Sequence, residues 1–110
     1  MAKVLFVIAS EDEKFNFSMT MAYNLMKSKS FEDIKVIFFG PSQRRLAQID
    51  GNLKNMLQEM LNNKVIDSAC VNIAQAMNIK PQLESLGINL MPAGQRVAYY
   101  VNQGYEVLTF

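Results

Sequence analysis

The single cysteine of the chain, Cys70, is the residue best suited to nucleophilic chemistry. It lies in VIDSACVNIAQAMNIKP, residues 65 to 81, where a short β-branched run gives way to a helical pattern. The start of a helix stabilises a thiolate and lowers its pKa, and beyond Asn72 this helix has no strong cap residue of its own. Free cysteine is also among the most often buried residue types, so the sequence leaves open whether Cys70 reacts or only packs.

Missing residue types narrow the chemistry around that thiol. The chain contains no histidine, which excludes Ser-His-Asp triads, Cys-His dyads and imidazole-ligated metal sites. One cysteine alone cannot build a structural zinc site or hold an iron–sulfur cluster. We therefore expect no metal, and any catalysis must use the thiol, carboxylates, lysines, tyrosines or the backbone.

The composition predicts one ordinary globular domain over residues 1–110. Half of the residues are hydrophobic and 19% are charged, and 11 basic against 10 acidic residues give a net charge of +1. This balance gives no electrostatic reason to expect nucleic acid or an anionic membrane as a partner. No apolar run approaches the roughly 20 residues of a membrane span. A single cysteine and an N-terminus without room for a signal peptide favour a cytoplasmic location.

Strand-like and helix-like segments alternate along the chain. Apolar runs that predict strands cover residues 3–10, 33–40, 65–70, 88–90 and 105–110, and helical patterns lie between them, the clearest at 14–29 and 51–64. Alternation of this kind favours right-handed crossovers and parallel strands. We expect a flavodoxin-like three-layer α/β/α sandwich with a mainly parallel five-stranded sheet and helices on both of its faces.

The first predicted helix carries apolar residues on two sides. Phe15, Met19 and Ala22 fall on one stripe that suits a core, whereas Phe17 and Met21 fall on the opposite side. Two large apolar residues on a second face indicate a surface that contacts a partner.

In a parallel sheet, sites form at the carboxyl ends of the strands. The candidate loops are therefore residues 10–14, 40–42, 70–72 and 91–94. Besides Cys70, the residues that could line such a site are Ser10, Glu11, Gly40, Ser42 and Asn72.

A flavin mononucleotide is a weak expectation, because three carboxylates at residues 11–13 would repel its phosphate. They are easier to explain as residues that stabilise a helix start. Gly40, Pro41 and Ser42 could form a small anion nest with Arg44 and Arg45 close behind, but a strand-to-helix turn capped by Ser42 explains them better.

Three stretches of the chain resemble the DsrE/DsrF-like family, which includes the TusD and YchN proteins. DIKVIFFGPS, residues 33–42, looks like the second strand of the family and its glycine-ending turn. ACVNIAQAMNI, residues 69–79, is similar to the stretch where a sulfur-carrying cysteine precedes a short helix. Residues 83–110 resemble the C-terminal end of the family, including a final strand that finishes in phenylalanine.

The resemblance implies a flavodoxin-like fold assembled into trimers or hexamers, an intracellular location and no bound cofactor. It also implies that Cys70 accepts sulfane sulfur as a persulfide from a donor protein and passes it to an acceptor protein. Some members carry a second nearby cysteine, but the matching region here has Ile73, so a local disulfide relay is not possible. A thiol in this role should be accessible and have a depressed pKa.

The alternative is a non-catalytic oligomeric module of the same family. Such a module would bind a small ligand or a partner protein through the strand-end loops, and Cys70 would then be a buried packing residue.

Overall fold

The computed structural model describes all residues from 1 to 110 and contains eleven helices and strands. Their bounds are β1 Lys3–Ile8, α1 Glu13–Ser28, β2 Asp33–Phe38, α2 Ser42–Ala47, α3 Gly51–Asn62, β3 Ile66–Cys70, α4 Val71–Ala76, α5 Lys80–Ser85, β4 Leu90–Met91, α6 Ala93–Asn102 and β5 Glu106–Thr109.

All five strands are parallel and form one sheet in the order β4-β3-β2-β1-β5. Their β-branched and apolar residues suit a sheet that is covered by helices. The predicted α/β sandwich of the flavodoxin-like type is therefore confirmed. The strand predicted at residues 88–90 lies at Leu90–Met91 instead, and Ile88, which precedes it, is buried in the core at 3% exposure.

The helices are distributed unequally over the two faces of the sheet. Helices α1 to α5 all contribute to one core cluster, which includes Phe15, Met19 and Leu57 together with strand residues such as Phe6 and Phe38. Helix α6 packs on the other face, where Leu5, Ile37, Cys70, Ala93 and Tyr100 form a smaller cluster, and the one further helical contact with that cluster is Ile73 of α4. One side of the sandwich is thus thick and closed, and the other is thin.

Helix α1 shows how the sequence sets these elements. Asp12 caps it, since its Oδ1 accepts a hydrogen bond from the amide of Lys14 at 3.0 Å, and Glu13 follows in the first turn. The acidic loop thus starts a helix, as the sequence predicted. The helix ends at Lys29, which adopts a left-handed conformation with φ of 53°. None of the helices is long and apolar enough to cross a membrane.

Candidate functional site

Cys70 is the last residue of β3 and stands at the carboxyl edge of the sheet, next to Met91 at the end of β4. The connection after β3 runs through α4 to the thick side of the sandwich, whereas the connection after β4 runs through α6 to the thin side. Two neighbouring strands whose connections diverge leave a crevice at their carboxyl ends, which is where open α/β sheets bind ligands. Cys70 therefore occupies the position that the topology favours for a site.

The thiol itself is covered. Cys70 is only 5% exposed and belongs to the cluster on the thin side, where Ala93 from the first turn of α6 packs with it. Cys70 precedes α4 as its N-cap residue but makes no side-chain capping hydrogen bond. A sulfur carrier is expected to have an accessible thiol, but in this conformation Cys70 is buried in a cluster to which α6 contributes Ala93 and Tyr100.

Gln43 fixes the backbone at Cys70. Its Nε2 donates to the carbonyl oxygen of Cys70 at 3.0 Å, and its Oε1 accepts from the amide of Gly40 at 3.1 Å. The side chain of Gln43 is completely buried and cannot bond to water. These two hydrogen bonds therefore satisfy its polar atoms. Gln43 thereby ties the end of β3 to the turn after β2.

Ser42 ties the same turn to β1. Its hydroxyl donates to the carbonyl oxygen of Ile8 at 2.6 Å, and its amide donates to the carbonyl oxygen of Ala9 at 2.8 Å. The predicted capping role of Ser42 is wrong, since Pro41 precedes α2 and the hydroxyl turns inward to β1. Through Ser42 and Gln43, this turn connects the ends of β1, β2 and β3. Gly40 and Ser42 are both buried, so they present no surface to a ligand.

Two arginines of α2 contact the acidic loop after β1 and the start of α1. Arg44 Nη1 lies 3.6 Å from Glu11 Oε2, while Arg45 donates to the carbonyl oxygen of Glu11 at 2.9 Å and to Asn16 Oδ1 at 2.6 Å. The amide of Gly40 is already bonded to Gln43. The donors considered for an anion nest are therefore used within the protein.

The remaining predicted residues lie at the surface. Asn72 and Glu11 are exposed and Ser10 is half-buried. On the outer side of α1, Phe17 and Met21 are exposed to 65% and 45%, which agrees with the second apolar face read from the sequence. The structure thus places Cys70, Gly40 and Ser42 at one edge of the sheet, with the first two joined through Gln43.

A second polar cluster lies on the thin side, between β3 and α6. The Asp67 carboxylate accepts two hydrogen bonds from Arg96, at 3.0 and 2.8 Å, and further bonds from Tyr100 at 2.6 Å and Ser68 at 2.9 Å. The Asp67 side chain is 10% exposed. Burial opposes its ionisation, but the hydrogen bonds from Arg96, Tyr100 and Ser68 hold its pKa below the ordinary value.

The same cluster raises the pKa of Tyr100. Burial and the neighbouring Asp67 carboxylate raise the pKa of Tyr100 to about 12. Tyr105 packs edge-on against Tyr100 and donates to Asp33 on β2. Every charge in this region has a partner, so the cluster fastens α6 to the sheet and leaves no group free for chemistry.

The sequence did not reveal Gln43, Asp67 or Arg96 as partners. Asp67 and Arg96 are 29 residues apart and meet only because α6 returns across the thin side. The bond from Gln43 to the Cys70 carbonyl carries no local signal either, since the two residues are 27 positions apart. No group of three or more histidine, cysteine, aspartate or glutamate residues is arranged to hold a metal ion.

Comparison with known proteins gives a match for the fold. No family model matches the chain, and no curated protein matches it. The chain is similar to the solved structure of a conserved protein of unknown function, BT1422, from Bacteroides thetaiotaomicron. The TM-score is 0.82 at 22% sequence identity, and the match covers 98% of this chain and 94% of that one. At this identity the match shows a shared fold.

Proposed function

We propose that this chain is a member of the DsrE/DsrF-like family that carries sulfane sulfur as a persulfide on Cys70. The observation that supports the proposal is the position of Cys70, at the strand end where the connections of β3 and β4 diverge. The buried hydrogen bond from Gln43 to the Cys70 carbonyl holds the backbone of this residue in place. The resemblance of residues 69–79 to the sulfur-bearing stretch of the family points to the same thiol.

The reaction needs no metal, histidine or external oxidant. The Cys70 thiolate attacks the terminal sulfur of a donor persulfide, a new S–S bond forms at Cys70, and the donor's S–S bond breaks. The donor leaves as a thiolate, and its transferred sulfur now forms the Cys70 persulfide. An acceptor thiolate removes that sulfur by the same exchange and returns Cys70 to its starting state.

Because Cys70 is buried, the proposed reaction requires a movement of α6. The thiol is buried in a cluster that contains Ala93 of α6, with Ile73 of α4 packed against the same cluster. On this proposal the first turn of α6 moves aside before a donor or acceptor protein reaches the sulfur. Between transfers, the same apolar cover shields the persulfide from water. Donor and acceptor proteins then dock at the carboxyl ends of β3 and β4.

Intact mass measured after brief exposure to a small persulfide donor tests this proposal. We expect wild-type protein to gain the mass of one sulfur atom and Cys70→Ser to gain none, while circular dichroism shows that both are folded. No gain in folded wild-type protein, with a gain after unfolding in urea, would overturn the proposal for the isolated chain.

The burial of Cys70 favours the second candidate, a non-catalytic oligomeric module that binds a small ligand or partner protein through the strand-end loops. On this account Cys70→Ser folds, keeps its oligomeric state and complements a deletion of the gene as well as the wild type does. Loss of complementation with the fold retained would contradict it. Assembly into trimers or hexamers and a cytoplasmic location remain predictions from the resemblance and the composition.

A further inference from the structure

The side chains of α6 form hydrogen bonds to the sheet at a single residue. All three of these bonds end on the carboxylate of Asp67: two come from Arg96, at 3.0 and 2.8 Å, and one comes from Tyr100 at 2.6 Å. Arg96 is also the only charged residue of the helix. The polar attachment of α6 therefore depends on one carboxylate, whose side chain is 10% exposed.

The apolar attachment of α6 is small and includes Cys70. Ala93, Val97 and Tyr100 are spaced four and three residues apart, so they lie on one face of the helix. Ala93 and Tyr100 are buried in one cluster with Cys70, and Val97 packs against that cluster. Tyr100 thus belongs both to the cluster that buries the thiol and to the network at Asp67.

The two attachments lie towards opposite ends of α6. Met91, two residues before Ala93, is the strand partner of Cys70, so the helix begins beside the end of β3. Tyr100, about 10 Å further along the helix, bonds to Asp67. On β3, Asp67 precedes Cys70 by about 10 Å. Helix α6 therefore runs back along β3, from the carboxyl edge of the sheet to the ion pair at Asp67.

We propose that the Asp67–Arg96 ion pair is a latch that controls how often Cys70 is exposed. A helix moves as one rigid element, so bonds at its third turn also restrain its first turn. When Arg96 and Tyr100 release Asp67, only apolar contacts hold α6, and the helix opens locally while the thick side stays folded. Asp67 is thus a positioning residue that acts on the thiol through α6.

The latch deepens the sulfur-carrier proposal and rests on it for its biological role, because the thiol must be reached by donor and acceptor proteins. The opening itself requires no persulfide. It can therefore be measured separately from sulfur transfer.

Alkylation by iodoacetamide at low concentration, followed by intact mass, measures the opening. Cys70 is the only cysteine, so the rate of mass gain reports its exposure. We expect Asp67→Asn to react about 10- to 100-fold faster than the wild type, since a hydrogen bond to a charged group contributes about that factor to an equilibrium. Arg96→Lys keeps the charge but loses the paired geometry, and should give a smaller increase.

Met60→Ala is the matched control for a loss of global stability. Met60 is completely buried in α3 on the thick side, so the change weakens the core and leaves the latch intact. The folded variant should react at the wild-type rate. A series in low urea gives the same test without a substitution, because local opening exposes little surface and the wild-type rate should hardly change.

Rates that rise in Asp67→Asn and Met60→Ala in proportion to their losses of global stability would overturn the latch, because Cys70 would then be reached by global unfolding. Faster reaction of Ile73→Ala with no effect of Asp67→Asn would overturn it as well, since Ile73 of α4 also packs against the cluster. A latch that controls alkylation in a protein that takes no sulfur from a persulfide donor would refute only the sulfur-carrier proposal. Sulfur gain with alkylation independent of Asp67 would refute only the latch.

Discussion

The two faces of the sheet are built from the same strands but differ in how they are closed. On the thick side, five helices bury an apolar cluster that contains Phe6, Phe15 and Phe38. On the thin side, one helix covers a smaller cluster that contains Cys70, and a polar network at Asp67 fastens this helix to β3. The thick side therefore buries most of the core, and the thin side is held by a smaller apolar cluster and one polar network.

This difference bears on the proposed function. Helix α6 shares a buried cluster with the thiol through Ala93 and lines an apolar groove of the thin side with Ala93, Gly94 and Val97. A helix held by one buried ion pair and a few apolar contacts can shift more readily than helices packed in a closed core. Substitutions on each face can therefore measure how unequally the two faces contribute to the free energy of unfolding.

The largest loss of stability is expected on the thick side. Phe6 is completely buried, and Phe6→Ala should reduce the free energy of unfolding by about 3–5 kcal/mol because it leaves a large cavity. Val7, the next residue of β1, points to the thin side and is half-buried, so Val7→Ala should cost only about 1 kcal/mol. Urea denaturation at one protein concentration measures both, and equal losses would contradict the comparison.

Removal of the Asp67 carboxylate tests what fastens α6. Asp67→Ala leaves Arg96 without its buried partner, and we expect a loss of about 3 kcal/mol in the free energy of unfolding. The conservative variant Asp67→Asn keeps the side-chain volume and should cost less. If α6 stayed equally protected from hydrogen exchange in Asp67→Ala, the network would not be what holds the helix.

The same carboxylate should give the protein an acid-sensitive stability. Its pKa is lower in the folded chain than in the unfolded chain, so its contribution is complete above the unfolded pKa of about 4. The contribution is lost as the pH falls through the folded pKa, because the unfolded state then binds more protons. Wild-type melting temperature should therefore fall below about pH 4 more steeply than that of Asp67→Asn, and parallel curves would refute this assignment.

Gln43 should have an effect of intermediate size. Gln43→Ala leaves the amide of Gly40 and the carbonyl of Cys70 without their buried partner, at a cost of about 1–3 kcal/mol. Gln48→Ala, an exposed change in the same segment, is the control and should be nearly neutral. Urea denaturation compares the two, and a neutral Gln43→Ala would show that other groups satisfy these strand ends.

The smallest effect is expected at Tyr100. Tyr100→Phe removes one hydrogen bond to Asp67 and should cost about 1 kcal/mol at neutral pH. Because the pKa of Tyr100 is raised from 10.0 to about 12, its contribution is present below the lower value and is lost between the two. The alkaline fall in melting temperature should be smaller in Tyr100→Phe, and an unchanged alkaline curve would contradict this assignment.

The sequence predicted the fold well because local patterns decide it. The apolar runs of β1 and β2 and the stripe of Phe15, Met19 and Ala22 specify their elements without reference to distant residues. The short strand β4 begins two residues later than predicted, since two paired residues give almost no periodic signal.

The site was only partly predictable, because its parts meet through tertiary structure. The position of Cys70 at a strand end followed from the sequence, but its cover by Ala93 depends on the path of α6 across the thin side. Ser42 was expected to cap a helix in a strand-to-helix turn, yet its hydroxyl bonds to Ile8, 34 residues away, and the neighbouring Gln43 bonds to Cys70, 27 residues away. Hydrogen bonds between residues so far apart in the chain cannot be predicted from a single sequence.

The most direct test of the account moves the thiol from one face of the sheet to the other. Cys70 points to the thin side, whereas Ala69, the preceding residue of β3, is completely buried on the thick side. The double variant Cys70→Ser with Ala69→Cys places the same thiol under the closed core. Intact mass after exposure to a persulfide donor then compares it with the wild type. We predict that the folded wild type gains one sulfur atom and the double variant gains none until it is unfolded, and equal rates of gain in the two folded proteins would contradict the account.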